Sequence, residues 1–188
     1  MGAVSGRLRV VAGEAGSVPL ARPPAPVRPT SQRVREALFA SLGELVVGRP
    51  FVDLYAGSGA MGIEALSRGA SRCLFVERRR ACVKVLKANL EKTRLAGRAE
   101  VWASDVRRVL ERVGQWLAGE AAVVFADPPY ADSSADEVLA RLLDANLPVL
   151  PVGSLVVLEH GCRREPEGLP EAAWERKIAE TCLKRWEV

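Results

Sequence analysis

Phe51-Val52-Asp53-Leu54-Tyr55-Ala56-Gly57-Ser58-Gly59-Ala60-Met61-Gly62 is the stretch on which the fold turns. A short apolar run enters a glycine-rich turn and then a helix-compatible segment. Glycines let the backbone turn sharply and approach a ligand closely, with a helix N-terminus just behind. Gly57, Gly59 and Gly62 satisfy Gly-x-Gly-x-x-Gly, and Glu77 follows 20 residues after Gly57. An acid at the end of the next strand can accept hydrogen bonds from ribose hydroxyls. The fingerprint by itself suits any nucleotide-like cofactor, a nicotinamide dinucleotide included.

Outward from this stretch, short apolar runs alternate with helical patterns. Strands are predicted at 51–55, 73–76, 100–103, 122–126 and 154–158, with helices at 59–68, 78–95, 105–117 and 133–145. Near-continuous apolar strands separated by helices imply a parallel sheet covered on both faces. Gly69 and Gly97 fall where helix C-caps belong. Residues 174–188 leave no room for another crossover and are predicted to close the sheet as an antiparallel hairpin.

Upstream, residues 8–12 read as strand-like. Pro19, Pro23, Pro24, Pro26 and Pro29 then deny helix and central strand alike, so an extended arm over the surface is expected. Thr30 or Ser31 offers an N-cap. Val34, Leu38, Leu42 and Leu45 follow at spacings of four, four and three, which predicts an amphipathic helix of about 15 residues. Arg33 and Glu36 lie off its apolar stripe. The chain divides into an arm and helix (1–48) and a catalytic domain (49–188).

Asp127-Pro128-Pro129-Tyr130 directly follows the apolar run 122–126. This is the carboxyl edge of a strand, where doubly wound sheets bind ligands. An exocyclic amino nitrogen on a base is a poor nucleophile because its lone pair is delocalised into the ring. Asp127 can accept one N–H and the carbonyl of Pro128 the other, aiming the lone pair at a methyl donor. Paired prolines fix φ and preorganise these acceptors. Tyr130 offers a flat face for stacking an extruded base. Asp53, ahead of the glycines, suits the ammonium and sulfonium of S-adenosylmethionine and would repel a diphosphate. Asp105 is placed either to accept from an adenine amino group or to N-cap the next helix.

At 188 residues the chain is one ordinary domain, able to bury roughly 70% of its unfolded surface without disulfides or metal. No apolar run reaches a membrane span and no secretory start is read, so cytoplasm is expected. The cysteines, Cys73, Cys82, Cys162 and Cys182, form no Cys-x-x-Cys pair and read as small hydrophobes. His160 is the only histidine, which leaves metal sites and histidine-based catalysis without support. The net charge of +4 sits entirely in residues 1–50, with seven Lys/Arg against three acids. Such an arm fits a phosphate-rich partner or a merely solvated surface.

Arg28-Pro29-Thr30, Arg33-Val34-Arg35-Glu36, Asp53 through Gly59, Glu64-Ala65-Leu66-Ser67-Arg68-Gly69-Ala70 and Asp127-Pro128-Pro129-Tyr130 together resemble the bacterial RsmD-type methyltransferases. The resemblance runs from about Leu8 to the C-terminus. It implies a class I S-adenosylmethionine-dependent methyltransferase (Rossmann-like) fold: α/β, a seven-stranded, mostly parallel sheet, helices on both faces and a C-terminal antiparallel hairpin. It implies N2-methylation of a guanine in small-subunit (16S) ribosomal RNA, within a partly assembled subunit. S-adenosylmethionine contacts are implied at Asp53, Tyr55, Ala56, Gly57, Ser58 and Gly59, at Glu77 and Arg78, and at Asp105 and Val106. RNA contacts are expected at Arg7, Arg9, Arg28, Thr30 and Arg33. No metal and a monomeric state are expected. One departure stands out: Ala12-Gly13-Glu14-Ala15-Gly16-Ser17 occupies the place of a Trp-Arg-Gly-Arg-like basic turn. The alternatives are an adenine-N6 methyltransferase acting on DNA or RNA, a dinucleotide-dependent oxidoreductase lacking a recognisable hydride site, and a non-catalytic RNA-binding module.

Overall fold

The computed structural model describes residues 8–24, 30–129 and 135–188. Its sheet has seven strands: β1 (Phe51–Leu54), β2 (Cys73–Val76), β3 (Ala99–Trp102), β4 (Val123–Ala126), β5 (Leu155–Gly161), β6 (Trp174–Ile178) and β7 (Thr181–Glu187). The order is β3-β2-β1-β4-β5-β7-β6, parallel except for β7 and β6. Phe51 pairs with Cys73 on one side and with Val123 on the other, so the chain order reverses at β1 and β4. The helices are α1 (Gln32–Leu42), α2 (Ala60–Ser67), α3 (Arg80–Thr93), α4 (Leu110–Leu117) and α5 (Ala135–Leu142).

Alternation along each strand sorts the core into two layers. Phe51, Phe75, Phe125 and Val157 pack with α1, α2, α3 and the N-terminal segment. Val52, Leu74, Val124 and Val156 face α4 and α5 with Trp186 of β7. Each fully buried phenylalanine contributes about 2 kcal/mol by leaving water. Gly62 in α2 permits the helix to lie on the sheet, since a Cβ there would sit 2.3 Å from Phe75 Cε1. The hairpin expected at 174–188 is β6 and β7.

Several local expectations are corrected. Gly97 is no helix cap; α3 ends at Arg94, itself left-handed at φ 61°, and Gly97 falls in a 3-10 turn spanning Ala96–Arg98. The first helix ends at Leu42 because Gly43 adopts positive φ, and a 3-10 turn follows. Asp105 begins another 3-10 turn, not α4 itself. Cys162, just past the end of β5, and Cys182 of β7 form a disulfide, while Cys73 and Cys82 are free and buried. No spacing motif announced that pair; register brings it together.

The N-terminal segment is extended but firmly held. It makes one antiparallel bridge, Arg9 to Pro19, in place of a strand. Leu8, Val10 and Leu20 are buried in the first core layer. Glu64 of α2 accepts from Val11 N and Ala12 N at 2.7 and 3.0 Å, and Ser67 Oγ accepts from Ala15 N. Asn89 of α3 clamps Ala21 in both directions and donates to Ser58 O. Gly13 is required by proximity: a Cβ would lie 1.8 Å from Ser67 O. Glu14 pairs with Arg98, so the acid at the altered turn has a structural partner. Arg35 of α1 is 1% exposed and donates to Thr30 O at 3.0 Å and Arg9 O at 2.8 Å. It therefore ties the segment to α1 and does not add to the basic surface.

Candidate active site

Doubly wound sheets bind ligands beyond the carboxyl ends of the strands where strand order reverses, which in this sheet is the crevice position between β1 and β4. Tyr55 leaves β1 at φ 63°, a left-handed conformation costly for a bulky residue, and Gly57 and Gly59 continue at φ 55° and 77°. Gly59 starts α2 against Leu86, whose side chain a Cβ would meet at 2.9 Å.

Four acids converge here. Asp53 is 2% exposed, and its Oδ2 accepts from Gly62 N at 3.0 Å. Burial pushes its pKa up to about 8, and neighbouring Asp127 and Glu77 push the same way. Glu77, 4% exposed, accepts from Gly57 N at 2.8 Å and from Arg79 N at 2.7 Å. Its carboxylate therefore shapes the glycine turn. Asp127 keeps part of its surface at the crevice, yet surrounding protein pushes its pKa to about 7, opposed by the Thr30 hydroxyl donating at 3.3 Å. Glu159, at the corresponding position of β5, is buried at 8% exposure and also pushed up by burial and Asp127. Sequence reasoning missed Glu159. Its signal was there: it ends an apolar run just as Asp127 does.

Asp105 sits on the far side of the crevice. It N-caps its turn through Arg107 N and is held by Arg107 and, at 3.6 Å, Arg78, which keep its pKa near 2. Val106 beside it is buried. Pro128 is half-buried and Pro129 exposed. Thr30 is at Asp127, while Arg9 and Arg33 are exposed. Arg7, Arg28 and Tyr130 lie outside the described residues. Among the described residues no cluster of potential metal ligands is found, and no helix is long and apolar enough to cross a membrane.

Buried acids that repel one another call for a cation, and the crevice holds more acid than base. The folded-state values of Asp53 and Asp127 stand above the ordinary carboxylate value, so their stabilisation is present at low pH and is lost as pH rises through their folded values. The ligand-free protein is expected to melt at progressively lower temperature between about pH 5 and pH 9, with Asp53→Asn flattening the trend. Thermal denaturation across that range checks it; a midpoint rising with pH would show these acids to be compensated.

The conserved hypothetical protein 95 family model matches residues 8–183. Ribosomal RNA small subunit methyltransferase D of Escherichia coli K12 is 38% identical over 141 residues, covering 74% of this chain and 69% of that protein. The chain belongs to the RsmD-type methyltransferase family. A solved hypothetical protein of Thermus thermophilus superposes at TM-score 0.79 with 34% identity, covering 96% of this chain and 99% of that one. An RNA methyltransferase of Salinibacter ruber, solved with S-adenosyl-L-homocysteine, shares 18% identity at TM-score 0.66, over 85% and 93% of the two chains. The fold is the class I Rossmann-like methyltransferase fold. Within this RsmD-type chain, Thr30 and Arg35 join the N-terminal segment to the Asp127 loop, so segment and site are built together.

Proposed function

We propose that this chain transfers the methyl group of S-adenosylmethionine to the exocyclic N2 amino group of a guanine in small-subunit (16S) ribosomal RNA. The observation that carries the reading is Asp127 with two prolines at the carboxyl edge of β4, facing buried Asp53 across the reversal of strand order. The acids fit the cofactor: Asp53 suits its ammonium and sulfonium, the glycine turn and Glu77 its ribose, and Asp105 with Val106 its adenine. When bound, S-adenosylmethionine supplies an electrophilic methyl group.

The protein's part is alignment and proton handling. Asp127 accepts one N–H of the base and the Pro128 carbonyl the other, which holds the nitrogen lone pair in line at about 3 Å. The proton released when the new N–C bond forms passes to Asp127, whose raised pKa suits it to the task. Tyr130 stacks on the base. Arg7, Arg9, Arg28, Thr30 and Arg33 of the 1–48 segment face the RNA, and residues 49–188 carry the chemistry. The protein acts as a monomer in the cytoplasm on a partly assembled subunit.

The test is label transfer from methyl-labelled S-adenosylmethionine, comparing naked 16S ribosomal RNA with partly assembled small subunits from cells lacking this protein. Label in the particle above that in naked RNA is expected. Label in neither would overturn the reading.

A further inference from the structure

Beside the Asp127 loop lies a second carboxylate that orientation of an amino group does not require. Ala126 of β4 pairs with Leu158 of β5, so Asp127 and Glu159 stand side by side as the two strands leave the sheet. Glu159 is 8% exposed, and its Oε2 is buried with no hydrogen-bond partner among the described residues. The Thr30 hydroxyl lies against both carboxylates, and Arg35 is the cation within electrostatic reach of Glu159. Pro128, Pro129, Leu158, Glu159 and His160 line one cleft, which Asp136 and Arg164 also border. A buried acceptor without a donor costs stability. Such a cost is retained where a ligand supplies the donor.

We infer that Glu159 reads the acceptor base, taking the ring N1–H that guanine presents next to its amino group. This rests on the methyl-transfer reading above and deepens it. Guanine shows two adjacent donors, the N2 amino group and N1–H, which two adjacent carboxylates match. Adenine and cytosine place a ring-nitrogen lone pair next to their amino group, so they offer no N–H to the acceptor oxygen of Glu159. The same Asp-Pro-Pro loop can align the amino group of any of these bases; Glu159 is what separates guanine from the others. A site built to bond a substrate N–H rejects an analogue lacking it by roughly ten-thousand-fold.

The test uses Glu159→Gln, which keeps the shape, removes the charge and can either donate or accept. The guanine labelled by the wild-type protein is first mapped. Small subunits are then prepared with guanine or with adenine at that position, and single-turnover transfer is measured on both. The wild type should methylate guanine only. Glu159→Gln should lose about tenfold on guanine and narrow the guanine-to-adenine ratio by about 100-fold, through gained transfer to adenine. Its thermal midpoint should stay close to that of the wild type, since size and shape are kept, and its cofactor binding by calorimetry should be unchanged. A ratio left at the wild-type value overturns the inference, whether the guanine rate is kept or falls equally on both substrates. If the wild type labels no guanine at all, the methyl-transfer reading has failed instead.

Discussion

Asp127→Ala should lower methyl transfer to the subunit by about 100- to 1,000-fold while leaving S-adenosylmethionine binding within a few-fold of wild type. The asymmetry follows from the proposed roles. Asp127 leaves β4 beside Thr30 and Glu159, where the base is proposed to sit, whereas Asp53 and the glycine turn are proposed to hold the cofactor. Removing its carboxylate abolishes one of two acceptors that aim the nucleophilic lone pair, and Pro128 alone cannot fix its direction. Single-turnover transfer and calorimetry separate the two steps. Activity within a few-fold of wild type would show that Asp127 does not align the base. Loss of cofactor affinity in parallel with activity would place it at the cofactor instead.

Arg35→Met should destabilise the protein by about 3 kcal/mol. Arg35 is buried among groups that depend on it: the carbonyls of Thr30 and Arg9 accept from its two terminal nitrogens. Burial lowers the guanidinium's pKa, with Glu64, Glu36 and Glu159 acting in the opposite sense. Methionine fills much of the volume but leaves both carbonyls without a donor and Glu159 without its nearby cation. Transfer should fall about tenfold as well, since Thr30 is held against Asp127 through this tie. Denaturant unfolding gives the stability, and hydrogen exchange at residues 8–21 locates the loosening. A loss below about 0.5 kcal/mol would mean that the segment holds itself through Glu64 and Asn89 alone.

The crevice was legible because its parts are local. Asp53, the glycines and Asp127 each follow an apolar run, and chain order around a parallel sheet brings such ends together without further information. The residues missed depend on contacts far apart in sequence. Arg35 looks like one more charge in a basic arm until Arg9, 26 residues upstream, supplies a buried carbonyl. Nothing local marks Asn89 and Glu64 as the residues that hold Ala21, Val11 and Ala12 in place. The Cys162–Cys182 bond depends on the register of β7 against β5, which the hydrophobic pattern of two strands separated in sequence does not set. Gly97 was misplaced because Arg94, three residues earlier, takes the left-handed conformation itself. In each case a tertiary partner decided what propensity left open.

The central claim is that this crevice places a methyl group on the N2 nitrogen of guanine. Nucleoside analysis of the labelled 16S ribosomal RNA tests it most directly. Small subunits from cells lacking the protein are incubated with it and methyl-labelled S-adenosylmethionine, and the RNA is digested completely. The account predicts label in N2-methylguanosine alone. Label in N6-methyladenosine would keep Asp127 and its loop but contradict the assigned base, and no labelled nucleoside would contradict the account as a whole.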